Sequence, residues 1–207
     1  MNRRYPLVDP NDARDACGVG FIADRNAAAS YRLVRLGVTC LHNLDHRGAK
    51  SADGTGDGAG MMTRLPYRIL ERDLRAMGIE PPSRMALGVV MTFFDPESID
   101  ESRAALETAL RDEGIGFLAW RSVPVGPMVL GGSALRSMPV IEQAIVVAPD
   151  DVDDADEFER RLFLARRAAE RAAPRGLAIV SASGRTVVYK GLFTASHIEG
   201  FYWDLRD

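Results

Sequence analysis

The sequence has 207 residues, 46% hydrophobic and 27% charged, an ordinary globular balance that excludes a disordered chain and is long enough to bury a core without staples. Lys and Arg number 26 against 29 Asp and Glu, a formal net charge of -3; with no basic block, this argues against a nucleic-acid binder or a polybasic membrane-surface protein. Two cysteines, Cys17 and Cys40, can build neither a disulfide framework nor a four-cysteine zinc site, and no apolar run approaches the length of a membrane span.

In chain order, residues 1–16 read as a polar, extended leader without the apolar stretch of a secretory signal, so the expected compartment is the reducing cytoplasm. Cys17-Gly-Val-Gly-Phe-Ile-Ala23 alternates small and apolar residues and predicts a short buried strand. Ser30 is placed to cap a helix running to about residue 46, with Val34, Val38, Leu41 and Leu44 at helical spacing and Gly48 as its stop. Residues 47–60 hold five glycines and predict a loop with unusual backbone angles. Pro66 starts a second helix with Ile69, Leu70, Leu74 and Met77 on one side, ending at Gly78.

A strand is expected at 85–94 and a helix at 98–113, with Ile99, Leu106 and Leu110 inward. Further strands are expected at 117–123 and 141–147. The helix expected at 153–173 is acidic at its start and basic towards its end, as the helix dipole favours, and its charges read as a solvated face. Residues 177–182 and 186–190 flank Ser183-Gly-Arg185 and predict a β-hairpin. The stretch after Gly191 ends in Phe201-Tyr-Trp-Asp-Leu205, an aromatic cluster that should pack on something. That ending suggests an incomplete domain.

Cys17 is the sharpest chemical candidate. Only the thiolate is a nucleophile, and a free thiol with a pKa of ~8.5 needs a base. No histidine lies near it in sequence; His42, His46 and His197 are the ones that could approach in space. Removal of residues 1–16 would supply another base, the α-amino group of Cys17 itself, titrating at roughly 7.7–8.0. One residue is then both nucleophile and base, as in N-terminal threonine enzymes. The competing reading is an inert small core residue. Cys40, among apolar neighbours inside the first helix, reads as core, and His42, Asn43 and His46 read as caps of its last turn.

Arg47, just before the flexible loop, is a candidate to hold a substrate carboxylate through two parallel hydrogen bonds, against the alternative of an ion pair with Asp53 or Asp57. The loop itself lacks the Lys-Ser/Thr ending of a phosphate cradle, and its aspartates would repel phosphate. It also lacks the spacing and closing glutamate of an EF-hand. No metal site is expected, and Gly48, Asp53, Gly54, Asp57 and Gly58 are read as shaping a small-molecule pocket.

Taken together, Asp15-Ala-Cys-Gly-Val-Gly-Phe-Ile22, Leu41-His-Asn-Leu-Asp-His-Arg-Gly-Ala49 and Ala52-Asp-Gly-Thr-Gly-Asp-Gly-Ala-Gly60 resemble the start of the glutamate synthase large-subunit family. Trp120-Arg-Ser-Val-Pro124, Pro139-Val-Ile-Glu-Gln143, Val188-Tyr-Lys-Gly-Leu192 and Phe201-Tyr-Trp-Asp-Leu205 follow in the family's order. The resemblance implies a class II glutamine amidotransferase domain of the N-terminal-nucleophile type. Its expected fold is α+β, a four-layer αββα sandwich, here incomplete. Residues 1–16 would be a propeptide and 17–207 the first half of the domain.

The implied chemistry is attack of Cys17 on the side-chain amide of glutamine, giving glutamate and ammonia for transfer to 2-oxoglutarate. The family's arginine for the glutamine α-carboxylate and its Asn-Gly oxyanion pair match nothing up to Asp207, so the isolated chain is expected to be inactive. No cofactor is expected in this chain; FMN, an iron–sulfur cluster and a reduced electron donor belong to the full-length enzymes it resembles. The expected partners are glutamine, the remainder of the large subunit and a small subunit. The alternatives are a non-catalytic half-domain that docks on a partner protein, and a different N-terminal-nucleophile hydrolase.

Overall fold

Helix α2 (Tyr67–Ala76) starts directly after Pro66, whose restricted φ suits a helix start, and buries Ile69, Leu70 and Leu74. Met77, grouped with them by spacing, falls beyond the last turn and is exposed. The structure, a computed structural model, describes residues 17–173 and 175–206. The expected leader lies outside the described residues. The other helices are α1 (Tyr31–Asn43), α3 (Ile99–Asp112), α4 (Gly132–Arg136), α5 (Ala155–Ala172) and α6 (Ile198–Phe201). The strands are β1 (Ala59–Arg64), β2 (Leu87–Phe94), β3 (Gly116–Ser122), β4 (Val140–Val147), β5 (Leu177–Ser183) and β6 (Thr186–Gly191). The chain is thus α+β.

The strands form two antiparallel sheets. One has the order β3-β4-β2-β5; the other pairs β1 with β6. Strand β2 is central and buried on both faces, which is why it reads as a nearly continuous apolar run. One face carries Val90, Ala144, Val146 and Ile179 and is covered by α3 and α5 through Leu106, Leu110, Phe158 and Leu162. Leu106, Leu110 and Leu162 are fully buried, each contributing about 1.5–3 kcal/mol of hydrophobic stabilisation. The Asp154 side chain accepts from the Asp156 N–H at 2.9 Å and caps α5, a bond worth about 1 kcal/mol. The opposite face carries Leu87, Val89, Met91, Ile141 and Ile145, packed in one cluster with Val187 and Tyr189 of β6, Val38 of α1, and Phe201, Tyr202 and Leu205. The closing aromatic stretch therefore packs into the core, with Trp203 half-exposed.

Two sequence expectations are corrected. Residues 177–190 are not a hairpin: β5 registers against β2, whereas β6 registers against β1. The turn between them is held by side chains in place of a ladder. Glu159 of α5 accepts from Ser183 Oγ and Gly184 N, and Ser183 Oγ accepts from the N–H groups of Arg185 and Thr186. Residues 17–23 are not a buried strand. They carry no strand pairing and are exposed, with Val19 at 90% and Phe21 at 89%. Their alternation is real, and the glycines face the first helical region: a side chain at Gly20 would meet Cys40 Sγ of α1, and one at Gly18 would meet Arg47 and Leu44.

Strand β1 and helix α4 were not foreseen. Sequence inspection treated residues 47–60 as one loop, whereas Ala59 and Gly60 already pair with Gly191 and Lys190.

Candidate functional site

A cleft of about 1610 Å³ opens between Cys17 and the end of the first helical region on one side, and β6 with its following turn on the other. Helix α1 ends at Asn43 and a single 3-10 turn, Asp45–Arg47, carries the chain into the loop. That turn brings Arg47 back over the N-terminal segment, so that its aliphatic stem lies against Gly18, next to Cys17. Cys17, Arg47, Gly48, Asp57 and Gly58 all line this cleft. The ion pair weighed for Arg47, with Asp53 or Asp57, is not formed; its guanidinium has no ionic partner among the described residues.

The glycine-rich loop is a tight double-back. Lys50 bridges Gly56, Ser51 N–H donates to Thr55 O, and Asp57 N–H donates to Ala49 O. Gly54 and Gly58 take φ of 87° and 132°, in the region that favours glycine. Gly56 runs so close to the backbone of Phe193 and Thr194 that any side chain there would collide with it.

Asp53 and Gly54 sit away from the cleft, against α4. Asp53 accepts from Ser133 N–H at 2.7 Å and from Thr55 N–H at 3.0 Å. The Ser133 hydroxyl and these N–H groups hold its carboxyl well below the usual carboxylate range.

The cleft is rich in cations. Besides Arg47 it is lined by Lys50, Arg136 and Lys190, against Asp45, Asp57 and Asp95. None of the four cations forms an ion pair among the described residues. Asp45 and Asp95 each accept a backbone N–H, from Ser196 and Glu97. Lys190 stands opposite Gly60 across the β1–β6 ladder, and the missing side chain at Gly60 leaves room for the lysine stem.

The histidines play other parts. His46 Nδ1 lies 3.0 Å from Asn43 O, and His197 Nδ1 lies 3.4 Å from Thr194 Oγ1. His42 Nε2 is buried without a hydrogen-bond partner among the described residues. None of the three lines the cleft. Cys40 is half-buried against Gly20. Among the described residues, no group of three or more His, Cys, Asp or Glu could hold a metal ion, and no helix is long and apolar enough to cross a membrane.

Sequence reasoning missed a buried polar cluster behind the cleft wall. Arg121 of β3 donates to Asp204 through both terminal nitrogens, to Asp73 at 2.6 Å and to Gln143 Oε1 at 2.9 Å. Tyr189 OH donates to Asp204 at 3.3 Å. Burial opposes the arginine's charge, but Asp204 and Asp73 outweigh it and raise its pKa. Burial and Asp204 push the Tyr189 phenol up. The members are scattered along the chain from Asp73 to Asp204, so the signal available was a charge inside an apolar strand, Arg121 after Phe-Leu-Ala-Trp.

The family model described as "Glutamine amidotransferases class-II" matches residues 17–207. The chain is 36% identical over 202 residues to a chloroplastic ferredoxin-dependent glutamate synthase of Oryza sativa subsp. japonica, covering 94% of this chain and 12% of that protein. It is 38% identical over 199 residues to ferredoxin-dependent glutamate synthase 2 of Synechocystis sp., covering 95% and 13%. It is 33% identical over 213 residues to the glutamate synthase (NADPH) large chain of Bacillus subtilis, covering 100% and 14%. The chain thus spans between 12% and 14% of the length of these relatives.

Proposed function

The chain belongs to the class-II glutamine amidotransferases, and on that premise we propose that the cleft beside Cys17 binds glutamine and that Cys17 hydrolyses its side-chain amide. The observation that carries the reading is that Arg47, whose guanidinium has no ionic partner among the described residues, lays its stem against Gly18 and lines the same cleft as Cys17.

In the proposed reaction the Cys17 sulfur bonds to the amide carbon and the amide nitrogen leaves with a proton as ammonia. The thioester that forms is then opened by water, returning the thiol and releasing glutamate. Removal of residues 1–16 would free the α-amino group of Cys17 to take and return the proton, since its ordinary pKa of roughly 7.7–8.0 suits a base at neutral pH. Arg47 holds the α-carboxylate, and Gly48, Asp57 and Gly58 shape the wall beside it. Asp53 and Gly54 act from behind, by fixing the loop. In a chain of the relatives' length, the ammonia would pass to a synthase site for transfer to 2-oxoglutarate, with the rest of that large chain and a small subunit as partners.

The domain is proposed to adopt the αββα sandwich. The reading is supported by the two antiparallel sheets that share one apolar cluster, with α3 and α5 outside one sheet and α1 against the other.

The test is covalent labelling of Cys17 by an electrophilic glutamine analogue. Saturable labelling that glutamine blocks and Cys17→Ser abolishes is the expected result. Labelling that glutamine does not slow would overturn the reading.

A further inference from the structure

We propose that Asp45 is a positioning residue: by accepting the Ser196 N–H it joins the two walls of the cleft and holds Arg47 against Gly18, next to Cys17. What this does for ligand affinity rests on reading the cleft as a glutamine site.

Arg47 sits on a turn with little of its own to hold it. Helix α1 ends at Asn43, the 3-10 turn is the three residues Asp45–Arg47, and Gly48 follows. So short a piece of 3-10 helix closes few hydrogen bonds, and with poor geometry. Those it has stay local. Arg47 N–H donates to Leu44 O at 2.8 Å, Gly48 N–H donates to Asp45 O at 3.2 Å, and His46 Nδ1 lies 3.0 Å from Asn43 O. Among the described residues, the hydrogen bond that ties this turn to a distant part of the chain is the one from Ser196 N–H to Asp45 Oδ1, at 3.3 Å and across 151 residues.

Ser196 is fixed from several sides. It lies in the 3-10 turn Ala195–His197 after β6, where His197 N–H donates to Thr194 O at 3.0 Å. Phe193 and Ala195, on either side of Thr194, are buried, and Gly56 crosses against the backbone of Phe193 and Thr194. The Ser196 hydroxyl is engaged with Thr194 Oγ1 at 2.9 Å, and its backbone N–H is the group that meets Asp45. Thr194 and Asp45 both line the cleft. The bond therefore carries the fixed position of the β6 wall to the first residue of the turn. Two residues later Arg47 lies along Gly18, where an added side chain would stand 3.1 Å from Arg47 Cγ. Cys17 is the neighbouring residue.

In this arrangement Asp45 supplies an acceptor oxygen and not a charge. Asparagine keeps a carbonyl oxygen at that place, and alanine does not. An aspartate that acted on a ligand through its charge would lose as much with asparagine as with alanine. Likewise, alanine at position 196 removes the hydroxyl and keeps the N–H.

The experiment reads two quantities on the full chain. One is hydrogen–deuterium exchange at the Arg47 and Gly48 amides. The other is protection of Cys17 from iodoacetamide by L-glutamine, with mass spectrometry resolving the Cys17 peptide from that of Cys40. Asp45→Ala is expected to speed the exchange roughly threefold or more and to raise the half-protecting glutamine concentration roughly fivefold. Asp45→Asn and Ser196→Ala should each stay within about twofold of the unaltered chain on both readouts. On an Arg47→Ala background, Asp45→Ala should add less than about twofold to the glutamine concentration, because two residues that act through one group do not add.

Unchanged exchange in Asp45→Ala, an asparagine effect as large as the alanine effect, or a full fivefold added on the Arg47→Ala background would each overturn the proposal. Failure of glutamine to protect the unaltered chain would instead sink the glutamine reading, and the exchange rates would then decide the Asp45 tie alone.

Discussion

Arg121 and Asp204, 83 residues apart, face each other through two hydrogen bonds of 2.7 and 2.8 Å with both side chains 2% exposed. The pair joins β3 of the larger sheet to the turn after α6. Asp73 of α2, Gln143 of β4 and Tyr189 of β6 meet at the same point. A buried charge pair is costly to break from one side, because the survivor is left without a partner. Asp204→Ala is therefore expected to destabilise the fold by about 3–5 kcal/mol. Urea unfolding measures this, and a loss below about 1 kcal/mol would show that water reaches the cluster.

Acid should loosen the same junction. Burial raises the Asp73 carboxyl, but the hydrogen bonds and charges of Arg121 and Arg72 outweigh it, and the net shift is downward from 3.8. A carboxyl depressed in the folded state adds stability above its unfolded pKa and loses it as pH falls through the folded value. Stability is expected to be level above pH 5 and to decline below about pH 4. Asp73→Asn should flatten part of that decline. A slope identical in the variant and the unaltered chain would remove Asp73 from the account.

Arg47→Ala is expected to weaken glutamine protection of Cys17 roughly tenfold, with Arg47→Lys in between. The unliganded alkylation rate of Cys17 serves as the control, since Arg47 also packs on Gly18. Protection that survives the alanine change would assign the carboxylate to another cation.

Gly56→Ala probes the loop without touching a charge. The added methyl meets the backbone of Phe193 and Thr194, which cannot rotate away. A loss of about 1–3 kcal/mol is expected, the usual cost of overpacking. Differential scanning calorimetry would register it as a lower Tm, and an unchanged Tm would mean that the crossing can open.

Helices α2 and α3 were legible because each buries a stripe at helical spacing, α2 directly after Pro66, and α5 was legible from its acidic start and basic end. Strand β2 was legible because it is apolar throughout. The β5–β6 turn was not, since a serine-glycine turn between two apolar runs has the same local pattern whether the strands pair or part; Glu159, contributed from α5, decides it. The segment after Cys17 differs from the expected strand because alternation of small and apolar residues says nothing of a pairing edge. At the site, Cys17, Arg47 and the glycine-rich loop could be chosen from residue type. Lys190 and Arg136 could not, because what places them is Gly60 across a ladder and Asp53 across a loop crossing.

The β1–β6 ladder ties Ala59 to Gly191 and Arg64 to Thr186, while β2, β3, β4 and β5, which lie between them in sequence, belong to the other sheet. Closing so long a loop costs chain entropy that only late contacts return. The larger sheet with α3 and α5 can gather from nearer neighbours first. A chain emerging from the ribosome has no such cleft until Gly191 is out, so Cys17 waits for the strand that faces it across the cleft. Timing is thereby written into the topology: Cys17 is made well before the strand that walls its cleft.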